Sequence, residues 1–243
     1  MPKCYAEILG DCVGQIEDEH FIPDSIQKML GPVTISGFAW QKGMSNKLAP
    51  GSYAHGHILC QKHHDALDNL DRNALAYFRN LMLMMGKYHI STGIVGKADD
   101  IVKKIDGRAL ERWFLKTICG AISARTINGK KEIPALWIQA LFDRIPWPDS
   151  WAVWVETGFR KIQLEDAAFH MDFFWANEHQ LKGIVITAFA VQTIFSIEPP
   201  DISNPKILRR PKRLGCNVRR AEGGDVLIGV PEGEKIEFRL DWP

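Results

Sequence analysis

The chain has 243 residues, 46% of them hydrophobic and 10% aromatic, and a formal net charge of +1. That length suffices for one large or two small domains with a packed core. The near-zero charge excludes bulk electrostatic attraction to nucleic acid, so any basic surface must be local.

No apolar run is long enough to span a bilayer, and the segment after Met1 lacks the apolar core of a signal peptide. The five cysteines are an odd number. Without an export signal, cysteines are read as metal ligands rather than disulfides. A cytoplasmic protein with no membrane partner is expected.

Two regions are distinguished, 1–90 and 91–243. In the first, residues 15–21 read as a short strand leading into Ile22-Pro23. Residues 24–30 read as a short helix closed by Gly31-Pro32. Residues 33–40 are strand-like, 41–51 form a polar loop, and 57–59 are a second short strand. A helix begins near Gln61, and another covers about 73–88, with Leu75, Phe78, Leu81, Met82 and Met85 at helical spacing. In the second region, 108–125 is a helix whose apolar face carries Leu110, Trp113, Phe114, Leu115, Ile118 and Ile122. Another helix covers 135–142. The period then changes, and 151–156, 168–176, 183–198, 226–230 and 235–240 read as strands. The expected fold class is α+β, with helices packed on an antiparallel sheet in 91–243.

The first region holds every candidate ligand. Cys60 and His63 are three apart and straddle a helix start, which lets one turn present both to one ion. Cys4 and Cys12 are eight apart, and Gly10 allows the intervening segment to turn back. Together Cys4, Cys12, Cys60 and His63 make a complete structural zinc set. The bland alternative is that Cys4 and Cys12 are ordinary small apolar residues. His64 diverges from His63 by about 100° on a helix and cannot share that ion. It points toward the Glu19-His20 dyad, and Asp68 lies four residues further on, where a helix would place it on the His64 face. An imidazole and carboxylates on one face form a half-site for a divalent cation. Asp68 reads equally well as a solvated helix carboxylate.

These residues resemble the HNH endonucleases, strand-strand-helix nucleases of the ββα-metal type that hold one catalytic metal. Glu19-His20-Phe21-Ile22-Pro23 is similar to the family's dyad at a strand end. His55, nine residues before His64, stands where the family has Asn or His. Leu59-Cys60-Gln61-Lys62-His63-His64 matches the last element, with His63 in the place of a second knuckle cysteine. The match covers roughly the first 70 residues. Glu19 replaces the commoner Asp or His, and the long spacer implies an insertion at about 33–52.

The resemblance implies metal-dependent hydrolysis of phosphodiester bonds in nucleic acid, DNA or RNA, with DNA favoured. His20 is then the general base, since imidazole exchanges protons near neutral pH, and His55 orients it. Glu19 and His64, with Asp68 as helper, hold Mg²⁺, Mn²⁺ or a similar ion. In the second region Arg209, Arg210, Lys212, Arg213, Arg219 and Arg220 form a local basic stretch able to neutralise phosphates. A solvated loop explains them as well. Trp137, Trp147, Trp151, Trp154 and Trp175 are assigned to core packing before base stacking. The second region is expected to select substrate, sense a ligand or form a homodimer through its sheet. Two other readings stay open: a zinc-stabilised nucleic-acid-binding or interaction protein whose nuclease site is inactive, and a metallo-hydrolase of another substrate.

Overall fold

The computed structural model describes residues 3–30, 33–35, 46–48, 55–86, 102, 104–124, 132–156, 170–177, 180–189, 191–198, 207–220, 226–228 and 234–243. A 3-10 turn at Glu7–Leu9 precedes β1 (Ile16–His20), α1 (Asp24–Leu30), β2 (Val33–Ile35), β3 (Asn46–Leu48), β4 (His55–Cys60), α2 (Gln61–Asp65) and α3 (Asp68–Gly86). There follow β5 (Lys104–Asp106), α4 (Gly107–Ser123), α5 (Ala135–Leu141), β6 (Ala152–Glu156), β7 (His170–Asn177), β8 (Gln180–Ala188) and β9 (Val191–Ser196). The last strands are β10 (Ile207–Arg209), β11 (Arg213–Arg220), β12 (Val226–Ile228) and β13 (Glu234–Asp241). The protein is mixed α+β, with largely antiparallel sheets. No helix among the described residues is long and apolar enough to cross a membrane.

Strands β1 and β4 form a two-stranded sheet that runs directly into α2. A larger sheet has the order β10-β6-β9-β8-β7-β2-β3, and a smaller one the order β12-β11-β13-β5. The segment between β1 and β4 does not stay with its own hairpin. Its β2 pairs in parallel with β7, which places β2 and β3 at the edge of the larger sheet.

Helix α4 sits where these layers meet. It is buried along nearly its whole length, and two of its charged residues, Glu111 and Lys116, are buried with it. Leu110, Trp113, Phe114, Leu115, Ile118 and Ile122 are all at most 1% exposed. Asp106 caps it, its side chain accepting the Ala109 N–H at 2.9 Å. The helix touches α3, α5, β4, β5, β8, β9 and β13. The buried side chains form one cluster from Cys4 to Leu240, so the core shows no break near residue 90.

Several elements depart from the sequence expectation. The helix begun at Gln61 stops at Asp65 and restarts at Asp68, the Leu67 N–H bonding to the His64 carbonyl. The strand expected over 183–198 is two strands, β8 and β9, paired antiparallel. The reversal includes Phe189 at φ 50°, and apolar side chains run through it, so hydropathy shows no gap. No strand was expected at β3, β5, β10 or β11. The polar loop expected over 41–51 contains β3 and otherwise lies outside the described residues.

Gly120 marks the closest approach of α4 to the N-terminal hairpin. A Cβ there would stand 2.2 Å from Phe21 Cβ. One turn earlier, Thr117 Oγ1 donates to the Phe21 carbonyl at 3.1 Å. Phe21 follows His20, so α4 holds the end of β1. Alanine normally stabilises a helix by about 1 kcal/mol relative to glycine. Here overpacking reverses the sign: Gly120→Ala is expected to destabilise by about 1–3 kcal/mol. Urea midpoints of the two proteins measure this, and a stabilised variant would show that the approach is looser than described.

Candidate metal centre and the adjoining charged cluster

The short N-terminal segment folds back onto β4 and α2. Gly10 ends the first turn at φ 75°, a left-handed conformation that glycine adopts without strain. Three backbone bonds then clip the segment in place: Tyr5 N–H to the Ile58 carbonyl at 2.9 Å, Gln61 N–H to Gln15 at 3.0 Å, and Lys62 N–H to Val13 at 3.2 Å. These bring Cys4 and Cys12 over the β4–α2 junction, where Cys60 precedes the first residue of α2 and His63 is its third residue.

The ligand atoms of Cys4, Cys12, Cys60 and His63 all lie within 4.8 Å of one another. The three sulfurs stand 3.4, 3.6 and 3.2 Å from His63 Nδ1, in the order Cys4, Cys12, Cys60. A tetrahedral ion with Zn–S near 2.3 Å and Zn–N near 2.05 Å separates sulfur from nitrogen by about 3.6 Å. The donor set and its spacing therefore fit a metal ion. Burial, then the neighbouring thiols, pushes Cys12 up to about 12, and burial raises Cys4 against hydrogen bonds from the Cys60 and Ala6 backbone that lower it. Burial would also raise Cys60, but hydrogen bonds from the His63 and Val13 backbone hold it below its ordinary value.

The sequence reading missed Asp11. Its Oδ1 accepts from His63 Nε2 at 2.9 Å, which leaves the Nδ1 lone pair for the sulfurs. Its Oδ2 accepts from Lys62 Nζ at 2.7 Å and from Arg144 at 2.7 Å. The Lys62 hydrogen bond, followed by His63, holds the Asp11 carboxyl below the usual carboxylate range. Phe142 packs edge-on against the His63 ring, with centroids 4.9 Å apart. An aspartate beside a cysteine in a glycine-containing turn looks like ordinary loop chemistry, and only its distance to His63 reveals the partnership.

His64 does point away from the cysteines. Its Nε2 lies 2.9 Å from Glu19 Oε2. The other Glu19 oxygen meets Lys116 Nζ at 2.6 Å, and Lys116 in turn meets Asp71 Oδ2 at 2.6 Å. Glu19 and Lys116 are 2% and 1% exposed. Burial opposes the Lys116 charge, but Asp71 and Glu19 more than restore it and raise its affinity for the proton. Asp71 behaves oppositely: burial outweighs the ammonium and pushes it up to about 6. Among the described residues, Asp71 Oδ1 and the buried Tyr5 hydroxyl have no hydrogen-bond partner. Lys116 was also missed; a lone lysine within an apolar helical stretch was its signal.

His20 ends β1 opposite His55, with Glu19 opposite Gly56. The His20 side chain is partly exposed, and that of His55 lies outside the described residues. Asp68 opens α3 rather than continuing α2, and it does not join Glu19 and His64 within 4.8 Å. The break at Ala66 and Leu67 is the physical reason, because it removes the one-face relation expected of a continuous helix. In the basic stretch, Arg210 turns inward and Arg209 bonds back to the Asp149 carbonyl. Lys212 and Arg213 are exposed, while the side chains of Arg219 and Arg220 lie outside the described residues. Trp137 and Trp151 are core residues. Trp147 and Trp175 pack against the core. Comparison of the chain with family models, curated proteins and solved structures finds no match.

Two outcomes are expected from these contacts. Asp11→Asn weakens Zn²⁺ binding by 10- to 100-fold, as is usual when a partner of a ligating histidine is lost; competition with a chromophoric chelator measures it, and unchanged affinity would remove Asp11 from the site. The second concerns pH. Asp71 holds its proton more tightly folded than unfolded, so its contribution is full below about pH 4 and is lost as pH rises through about 6. The loss is on the order of 3 kcal/mol. The difference in unfolding free energy between the protein and Asp71→Asn across that range should show this slope; a flat difference would refute it.

Proposed function

We propose that the protein is a metal-dependent nucleic-acid endonuclease of the HNH type, with DNA as the first substrate to test. The observation that carries this reading is the β1–β4–α2 unit. A strand ends in Glu19-His20, pairs antiparallel with β4, and β4 leads straight into a helix that carries His64 to 2.9 Å from Glu19. Two ligands at neighbouring positions on an octahedral ion with 2.1 Å bonds stand about 3.0 Å apart, so this pair fits a shared Mg²⁺ or Mn²⁺. A cation bound there would stabilise charge developing at phosphorus and on the leaving oxygen. His20, the residue after Glu19 at the end of β1, is assigned to take the proton from the attacking water. His55, the register partner of His20 on β4, is assigned to orient it. Lys116 and Asp71 hold Glu19 in place from below.

The Cys4-Cys12-Cys60-His63 set is read as a structural zinc site. Its role is to pin the chain before β1 onto the β4–α2 junction, so that His63 faces the cysteines and His64 faces Glu19. Metal-binding free energy is folding free energy in such a site.

One observation favours a second reading. Lys116 already supplies a full positive charge at 2.6 Å from Glu19. With that neutralisation in place, a zinc-stabilised nucleic-acid-binding protein with an inactive nuclease site has direct support. A nicking assay on supercoiled plasmid with Mg²⁺, Mn²⁺ and other divalent ions separates the two. Under the leading reading cleavage is seen, and His20→Ala lowers it by roughly 10²–10⁴ while zinc content and melting are unchanged. Full activity in the variant removes His20 from the mechanism. No cleavage with any ion, alongside retained nucleic-acid binding, favours the inactive module.

A further inference from the structure

The outer face of the smaller sheet carries an arrangement that the hydrolytic site does not use. Arg213 on β11 is the direct cross-strand partner of Arg239 on β13, and Arg239 is the register partner of Lys104 on β5. Cross-strand partners project from the same face, and adjacent strands are about 4.8 Å apart. Three cations therefore stand in one row across three strands. All three are exposed. Their neighbours Leu214, Phe238, Ile105 and Leu240 are buried on the opposite side, so the row is held on the solvent face by the core beneath it.

Like charges directly opposite each other destabilise a sheet. Here little relieves them. Lys104 is paired with Asp241 at 3.0 Å, and Arg213 reaches Glu237 only at 3.9 Å. Arg239 and the adjoining Lys212 have no acidic partner among the described residues. Lys212, Arg213, Arg239, Leu240, Asp241 and Trp242 line a cavity of about 310 Å³. The indole of Trp242 is fixed there: its Nε1 donates to the Pro211 carbonyl at 3.0 Å, and it lies against Gly107 at the start of α4. An immobilised aromatic surface beside unrelieved cations is the pair of features that binds a base and its phosphate together. Asp241 is the one acidic group in the lining, and Lys104 offsets it.

We propose that this cavity binds a nucleoside phosphate, the base against Trp242 and the phosphate among Lys212, Arg213 and Arg239. The ligand is either one nucleotide of a single strand or a free mononucleotide. The inference rests on the nucleic-acid reading above only for the first source. The cavity lies at the opening turn of α4. Lys116 is nine residues further along, about 13 Å away down the helix axis, so the cavity is separate from the Glu19–His64 pair.

The test is equilibrium binding to the full-length protein without divalent ions, so that it is read apart from cleavage. The probes are a fluorescein-labelled oligothymidylate, adenosine monophosphate and inorganic phosphate. Arg239→Gln and Arg213→Gln are expected to weaken oligonucleotide binding about tenfold each at low salt. Each should also lower the salt-dependence slope by about 0.7, the value for one single-strand phosphate contact. Their melting temperatures should hold or rise, because each change removes like-charge repulsion. Weakening confined to the oligonucleotide assigns the cavity to a strand. Parallel weakening of adenosine monophosphate binding assigns it to a free nucleotide. Equal affinities in protein and variants for every probe overturn the proposal, as does inorganic phosphate binding as tightly as adenosine monophosphate. If the plasmid assay shows no cleavage but this binding is found, the endonuclease reading fails and the cavity stands.

Discussion

The ammonium of Lys116 lies inside a helix that is buried on nearly every side, and its two short contacts hold the charge there. Glu19 reaches it from β1 and Asp71 from α3, each at 2.6 Å, and His64 of α2 closes on Glu19 from the other side. Four elements thus converge on one charge. Removing one partner of such a buried pair costs about 3–5 kcal/mol, because the survivor is left charged in a poor solvent. The position of the candidate dyad is therefore tied to the core of the chain rather than to its own hairpin. Glu111 does the same for the other side of the helix. It is fully buried, accepts from Arg210 at 2.8 and 3.2 Å and from Arg108 at 2.9 Å, and takes the Val153 N–H at 3.1 Å. Positions five apart on a helix face directions about 140° apart. Lys116 accordingly grips the N-terminal hairpin while Glu111 grips the larger sheet and the β10–β11 junction.

The parts that were legible in the sequence are those where residue chemistry is narrow. Few roles bring together Cys4, Cys12, Cys60 and His63, and the divergence of His63 from His64 follows from helix geometry alone. Helix α4 was legible because Leu110, Trp113, Phe114, Ile118 and Ile122 recur at helical spacing. What escaped was chemistry carried by common residues. Asp11 looks like a turn residue, and Lys116 like a polar interruption. Arg210 looks like part of a solvated basic stretch, yet a left-handed kink at φ 44° turns it toward Glu111. The row made by Arg213, Arg239 and Lys104 was illegible in principle. Its members lie far apart in the chain, and only the pairing register aligns them. Three-residue strands such as β3 and β5 are too short to show alternation.

The insertion between β1 and β4 has a further effect on the architecture. By pairing with β7, it joins a segment near residue 34 to one near residue 170. The β13–β5 pair likewise joins residue 240 to residue 105. Both are parallel pairings, which form only after the intervening chain is in place. The first stitches the N-terminal region to the second, the other closes the second region on itself, and the buried side chains form a single hydrophobic cluster.

This topology dictates an order of events as the chain leaves the ribosome. All four cluster ligands lie within the first 63 residues, so a metal ion can close that loop while the rest is still being made. Glu19 then waits for Lys116, and β2 for β7. Non-local pairings pay their loop-closure entropy before any contact rewards it, and chains generally fold from the N-terminal end during synthesis. While that part of the chain is complete and the rest is still being made, Glu19 is still hydrated and the partner strand of β2 has not emerged. In that interval the unpaired edge of β2 is exposed to other nascent chains.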